Sequence, residues 1–218
     1  MQLYLDSLDE HAWRELIPTG LFKGITTNPG LGQAAGLIYA ELDWPHYAVM
    51  AQSLGAGTLC VQLHGPEHGY LEMAHRLAQL NAASDLQIVI KIPASEAGFR
   101  VAAAIRRDVA LPILITAVYT SAQASFARAI DAEYIAPYLG RMQEAGMDVA
   151  GELRRIVAIC AGHTSVMAAS LRDMTQVEMA LSAGVDAMTL SPYLARLIMS
   201  DPRTIRDVER FENQAFNL

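Results

Sequence analysis

The chain has 218 residues, 52 % of them apolar, with 23 acidic side chains against 16 basic ones and a net charge of −7. That balance excludes the basic face needed to bind nucleic acid or an anionic membrane surface, and 18 % charged residues with a mean hydropathy of +0.21 exclude a disordered chain. A single globular domain over 1–218 is expected.

Residues 1–13, MQLYLDSLDEHAW, carry no basic segment followed by an apolar one, and no stretch reaches the roughly 18 apolar residues of a membrane span. A cytoplasmic protein is the expectation. The first candidate strand, 2–6, ends at Asp6, and Ser7 with Glu10 has capping-box spacing before a helix. The second, 23–27, runs through Thr26 and Thr27 into Asn28 and Pro29. Gly30, Gly32 and Gly36 follow, but their spacing is one residue too long for a dinucleotide loop and no acidic ribose ligand follows at the right distance.

The third strand, 58–63, carries Gln62. After it, His64-Gly-Pro-Glu67-His68 has the spacing of an inverted zinc-protease motif, and His68, Glu72 and His75 could share a helix face. Gly65 and Pro66 put His64 in a loop instead, so no metal site is expected. Leu71, Ala74, Leu77 and Ala78 have helical spacing. The fourth strand, 87–92, reads QIVIKI and contains Lys91; Val101, Ala104 and Ile105 mark the helix after it.

Strands at 112–116, 133–138, 164–169 and 186–190 complete the series, ending near Thr116, Tyr138, Ser170 and the pair Thr189 and Ser191. Asp173 can cap a helix from Met174, and Gly184 can close it in a left-handed conformation. Pro29, Pro66, Pro93 and Pro192 fall just after strands, where a missing N–H costs little. A last helix, 201–214, places Ile205, Val208 and Phe211 on one stripe, to pack on its own barrel or on a neighbouring subunit. Cys60 and Cys160 lie in apolar runs and read as buried free thiols. Eight strand-plus-helix units predict an α/β fold, a (β/α)8 TIM barrel with an additional C-terminal helix, with an open doubly wound sheet as the alternative.

In such a barrel reactive groups gather where strands end. All eight ends offer a polar side chain, and Lys91 is the most informative. Lys23 and Lys91 are the only lysines, leaving 14 of the 16 basic residues as arginine. An ammonium inside an apolar strand is disfavoured, whereas a neutral amine there is a nucleophile toward a carbonyl. From the residues alone, a Schiff-base lysine and a structural ion pair with Asp6 or a helix-face carboxylate both stand.

The runs YLDS at 4–7, GITTNPG at 24–30, VQL at 61–63, IVIKIPAS at 88–95, TAVYTSAQA at 116–124, EYIAPYLGR at 133–141 and AASLR at 168–172 resemble the transaldolase superfamily, and within it the short fructose-6-phosphate aldolase type. The resemblance covers nearly the whole chain. It implies a (β/α)8 barrel performing metal-free, cofactor-free class I aldol chemistry on a sugar phosphate, with dihydroxyacetone as a partner. It also implies a homo-oligomer, a decamer of two pentameric rings, in which the C-terminal helix packs on a neighbour.

Carried over by position, Lys91 resembles the Schiff-base lysine and Asp6 the carboxylate that orients it and assists proton transfer. Gln62, Thr116 and Tyr138 resemble the group holding a catalytic water, with Tyr138 nearest to an acid/base role. Thr26 and Asn28 should contact the dihydroxyacetone portion, and Arg141, Ser170 and Arg172 the phosphate, which suits the planar fork of arginine. Transaldolases usually carry glutamate where this chain has Gln62 and phenylalanine where it has Tyr138, so cleavage of fructose 6-phosphate is favoured over transfer of the dihydroxyacetone unit between sugars. A non-catalytic sugar-phosphate-binding barrel is the third reading. Three departures from the aldolase pattern are Gly30 for serine, Gly140 for asparagine and SPY at 191–193.

Overall fold

The computed structural model describes residues 1–216. Eight parallel strands, β1 (Gln2–Asp6), β2 (Gly24–Thr26), β3 (Thr58–Gln62), β4 (Gln87–Pro93), β5 (Ile113–Val118), β6 (Tyr134–Pro137), β7 (Ser165–Ala168) and β8 (Ala187–Leu190), pair in sequence order. β1 then pairs with β8, Gln2 opposite Ala187 through Leu5 opposite Leu190, which closes the barrel and rules out the open doubly wound sheet.

Helices α1 (Glu10–Leu16), α2 (Pro29–Ala34) and α3 (Trp44–Ser53) fall between the first three strands. The remaining units contribute α4 (Tyr70–Ala82), α5 (Glu96–Asp108), α6 (Ser121–Ala129), α7 (Leu139–Glu144), α8 (Val149–Cys160), α9 (Met174–Ala183) and α10 (Pro192–Met199), and α11 (Pro202–Phe216) ends the described chain. Among the described residues no helix is long and apolar enough to cross a membrane.

The two-residue period of the strands sorts their side chains into two cores. Ile88, Ile90 and Ile92 of β4 join Ile25, Leu59, Val61 and Ile113 in the large cluster packed against the helices. Val89 joins Tyr4, Cys60, Leu114, Ala136, Met167 and Ala187 in a second cluster that fills the barrel itself. Because both faces of each strand are covered, the strands read as nearly continuous apolar runs. A residue two positions beyond a barrel-filling one shares its face, so Val89 sends Lys91 inward, Tyr4 sends Asp6, Cys60 sends Gln62 and Leu114 sends Thr116. The polar rim is the next layer of the barrel interior.

Local signals set the ends of the elements. Asp173 accepts the backbone N–H of Gln176 at 2.9 Å, and Gly184 closes α9 at φ 74°. Pro29 and Pro192 open α2 and α10. The first cap differs from the expected Ser7–Glu10 box: Asp9 caps α1 by accepting the His11 N–H, and Ser7 Oγ accepts the Asp9 N–H at 3.0 Å. A carboxylate adjacent to the first turn reaches its free N–H groups sooner than a hydroxyl two residues upstream. Cys60 and Cys160 are buried and free.

Candidate active site

The inward residues meet at the C-terminal end of the barrel in a cavity of about 310 Å³. Its lining includes Asp6, Thr26, Asn28, Lys91, Tyr138, Arg141, Ser170 and Arg172. These come from β1, the β2 end, β4, the β6 end with α7, and the loop after β7, so they are assembled from across the chain.

Lys91 is 4 % exposed and donates from Nζ to the backbone carbonyl of Thr27 at 2.8 Å. The alternative ion pair is not formed: Asp6 Oδ1 instead accepts from Thr26 Oγ1 at 2.7 Å, and no ion pair among the described residues involves Lys91. The hydroxyls of Thr26 and Thr189 lie 2.5 Å apart. Since the Thr26 proton is directed to Asp6, Thr189 donates to Thr26, and the two hydroxyls form a relay that ends on the Asp6 carboxylate. Beneath Lys91, burial pushes the Cys60 thiol up to about 12, against the opposing pull of Lys91. Cys60, in the apolar layer that fills the barrel, therefore remains uncharged and does not compete as a nucleophile.

Across the cavity Thr116 Oγ1 donates to the Tyr138 hydroxyl at 2.8 Å. The phenol accepts there, so its own proton remains available to the cavity. The Arg141 guanidinium lies 5.0 Å from the Tyr138 ring centroid, a cation–π contact that holds it over the ring. Arg172 pairs with Glu144 at 3.6 Å. Ser170 adopts φ 58°, a left-handed conformation rare outside glycine, and its carbonyl accepts the Gly140 N–H at 2.9 Å. These contacts bring two arginines to one rim of an otherwise acidic protein.

Two of the expected residues do not line the cavity. Thr116 is buried behind Tyr138. Gln62, in register with Lys91 across β3 and β4, has its backbone N–H on the Tyr39 hydroxyl at 2.9 Å. Sequence reasoning placed Thr189 at a strand end without a role and did not single out Tyr39. Nor could it find the Thr27 carbonyl, because backbone acceptors carry no side-chain signal. His64 lies in the loop after β3, its ring edge-on to Tyr39, while Glu67 and His68 form a short 3-10 turn. Among the described residues no three His, Cys, Asp or Glu side chains are grouped to hold a metal ion.

A family model described as transaldolase/fructose-6-phosphate aldolase matches residues 3–218. A probable transaldolase of Hyphomonas neptunium is 28% identical over 214 residues, covering 97% of this chain and 95% of the relative. A probable transaldolase of a Caulobacter species is 30% identical over 216 residues, with 97% and 94% covered. Among solved structures, mandelate oxidase with benzoyl-formic acid superposes with a TM-score of 0.59 at 16% identity. That match covers 84% of this chain and 59% of the oxidase, a likeness of barrel fold alone.

Proposed function

The chain belongs to the transaldolase/fructose-6-phosphate aldolase family, and from that premise we propose that it is a cytoplasmic class I aldolase that cleaves or forms fructose 6-phosphate through an imine on Lys91. The observation that carries the reading is the state of Lys91. It is a buried amine with no carboxylate partner among the described residues, held by one backbone carbonyl inside a polar cavity. A structural lysine would have been neutralised by an acid.

In this reading the Lys91 amine adds to the C2 ketone, and loss of water gives an iminium. The C3–C4 bond then breaks: its electron pair flows into the iminium to give an enamine, and the C4 hydroxyl proton passes to a base as glyceraldehyde 3-phosphate leaves. Protonation at C3 and hydrolysis, which returns the water, release dihydroxyacetone and the free amine. Tyr138, hydrogen-bonded by Thr116, suits the proton transfers, with Gln62, opposite Lys91 on β3 and just outside the cavity lining, positioning the water, and Asp6 orients the amine and the substrate hydroxyls. Thr26 and Asn28 would hold the dihydroxyacetone portion. Arg141, Ser170 and Arg172 would hold the phosphate.

A second reading, transfer of the dihydroxyacetone unit to another sugar phosphate, is favoured by relatives named probable transaldolase. The aldolase is preferred because the neutral amide of Gln62 cannot deprotonate water, so the proton must pass to a group such as Tyr138. As in the family resemblance, the working form is proposed to be a homo-oligomer, a decamer of two pentameric rings.

Borohydride added with fructose 6-phosphate should attach a reduced adduct to Lys91, and Lys91→Met should lose both adduct and turnover. Glyceraldehyde 3-phosphate should form from fructose 6-phosphate without any acceptor sugar. Its appearance only with erythrose 4-phosphate would establish the transaldolase instead, and an unlabelled Lys91 would overturn both.

A further inference from the structure

The β2–β3 ladder is interrupted beside Lys91. Gly24, Ile25 and Thr26 stand opposite Thr58, Leu59 and Cys60, and the Thr27 N–H continues the pattern to the Cys60 carbonyl at 3.0 Å. In a parallel ladder the next bond would run from the Gln62 N–H to the Thr27 carbonyl. It is replaced. The Gln62 N–H donates to the Tyr39 hydroxyl at 2.9 Å, and the Thr27 carbonyl accepts Lys91 Nζ at 2.8 Å.

The remaining protons can be assigned without ambiguity. Thr27 Oγ1 donates to the Cys60 carbonyl at 2.8 Å, so the Tyr39 hydroxyl, 3.1 Å away, donates to Thr27 Oγ1. A four-group chain results: Gln62 N–H, Tyr39 O–H, Thr27 O–H, Cys60 carbonyl. Tyr39 lies on a 3-10 turn, Tyr39–Glu41, and is 6 % exposed. Its ring is clamped edge-on between Trp44 at 5.3 Å and His64 at 5.2 Å, and it packs on Gly32. Its hydroxyl therefore has one position.

We propose that Tyr39 is a positioning residue for Lys91: by taking the Gln62 N–H out of the ladder, its hydroxyl leaves the Thr27 carbonyl to aim the Lys91 amine. This inference rests on the imine chemistry proposed above. Without the hydroxyl, the Gln62 N–H closes the ladder on Thr27 and competes for the oxygen that orients Nζ.

The test is Tyr39→Phe, which keeps the ring and removes only the oxygen. The rate of imine formation, followed by borohydride trapping in single turnover, and kcat should both fall about tenfold. KM should remain within about twofold and the melting temperature within a few degrees, because the ring packing and the phosphate rim are intact. If that variant does not fold, Thr27→Val, which removes the oxygen receiving the Tyr39 proton, is read in the same way. Wild-type imine and turnover rates in the folded variant, or a loss confined to KM, overturn the proposal while leaving the imine mechanism standing. A wild-type protein whose Lys91 is never trapped overturns both.

Discussion

At the residue scale, Gly140 is the departure from the family pattern that the structure explains. A Cβ placed there would meet the Ser170 carbonyl oxygen at 2.3 Å and Arg172 Cγ at 2.8 Å. The Gly140 N–H bond to Ser170 and the passage of the Arg172 stem leave no room for any side chain. Gly140→Ala should therefore displace the loop after β7 rather than merely tighten it. The expected cost is about 1–3 kcal/mol of stability, or several degrees in melting temperature. The KM for fructose 6-phosphate should rise, while trapping of unphosphorylated dihydroxyacetone on Lys91 is little changed, because Asp6 and Thr27 lie on other elements. Equal losses with both substrates would contradict this placement of the phosphate rim. Gly30 and the SPY run show no comparable constraint: a Cβ at Gly30 meets only Asn28 Oδ1, at 3.1 Å.

At the scale of elements, the barrel is tied together on its outside by side chains that cap neighbouring helices. Glu152 on α8 accepts the Ser121 N–H at the start of α6 at 2.7 Å and pairs with Arg155 at 2.7 Å. Arg155 and, secondarily, the Ser121 N–H hold its carboxyl below the usual glutamate range. A depressed carboxyl binds fewer protons in the native state than in the unfolded one. Its contribution is thus complete above the ordinary glutamate range and is lost as pH falls through the native value. Glu152→Gln should lower the melting temperature modestly at neutral pH and flatten its decline between about pH 5 and pH 3. An unchanged slope would show that the α6–α8 tie contributes no pH dependence.

At the scale of the whole molecule, α11 is the element that its own barrel does not accommodate. None of its residues is buried, and Ile205, Val208, Phe211 and Phe216 are 46%, 50%, 56% and 69% exposed. An apolar stripe of this kind left in water is an interaction surface. Of the two destinations expected for this helix, packing on its own barrel is not the one adopted; in the homo-oligomer proposed above, the stripe would seat on a neighbouring subunit. Val208→Glu should reduce the assembly, measured by sedimentation at a fixed concentration, while sparing the secondary structure of the barrel. A wild-type protein that sediments as a monomer would remove the argument.

Much of this architecture was legible from the residues. All eight strands lie where apolar runs place them, because a parallel sheet covered on both faces requires such runs whatever follows. The polar residue ending each run has a local signal as well, which is why Asp6, Thr26, Lys91 and Tyr138 could be named in advance. The α1 cap differs from the Ser7–Glu10 expectation because Ser7 and Asp9 are both competent acceptors, and Asp9 lies next to the first turn while Ser7 accepts the Asp9 N–H.

The sequence by itself determined the strand count, the inward period and the scarce lysine set within an apolar strand, since these depend on composition and short-range spacing. The tertiary structure decided closure of β1 on β8, the absence of an ion pair at Lys91, the diversion of the Gln62 N–H to Tyr39 and the solitary α11. Each depends on which groups meet across tens of residues and on backbone carbonyls that every residue carries alike, so no local pattern encodes them.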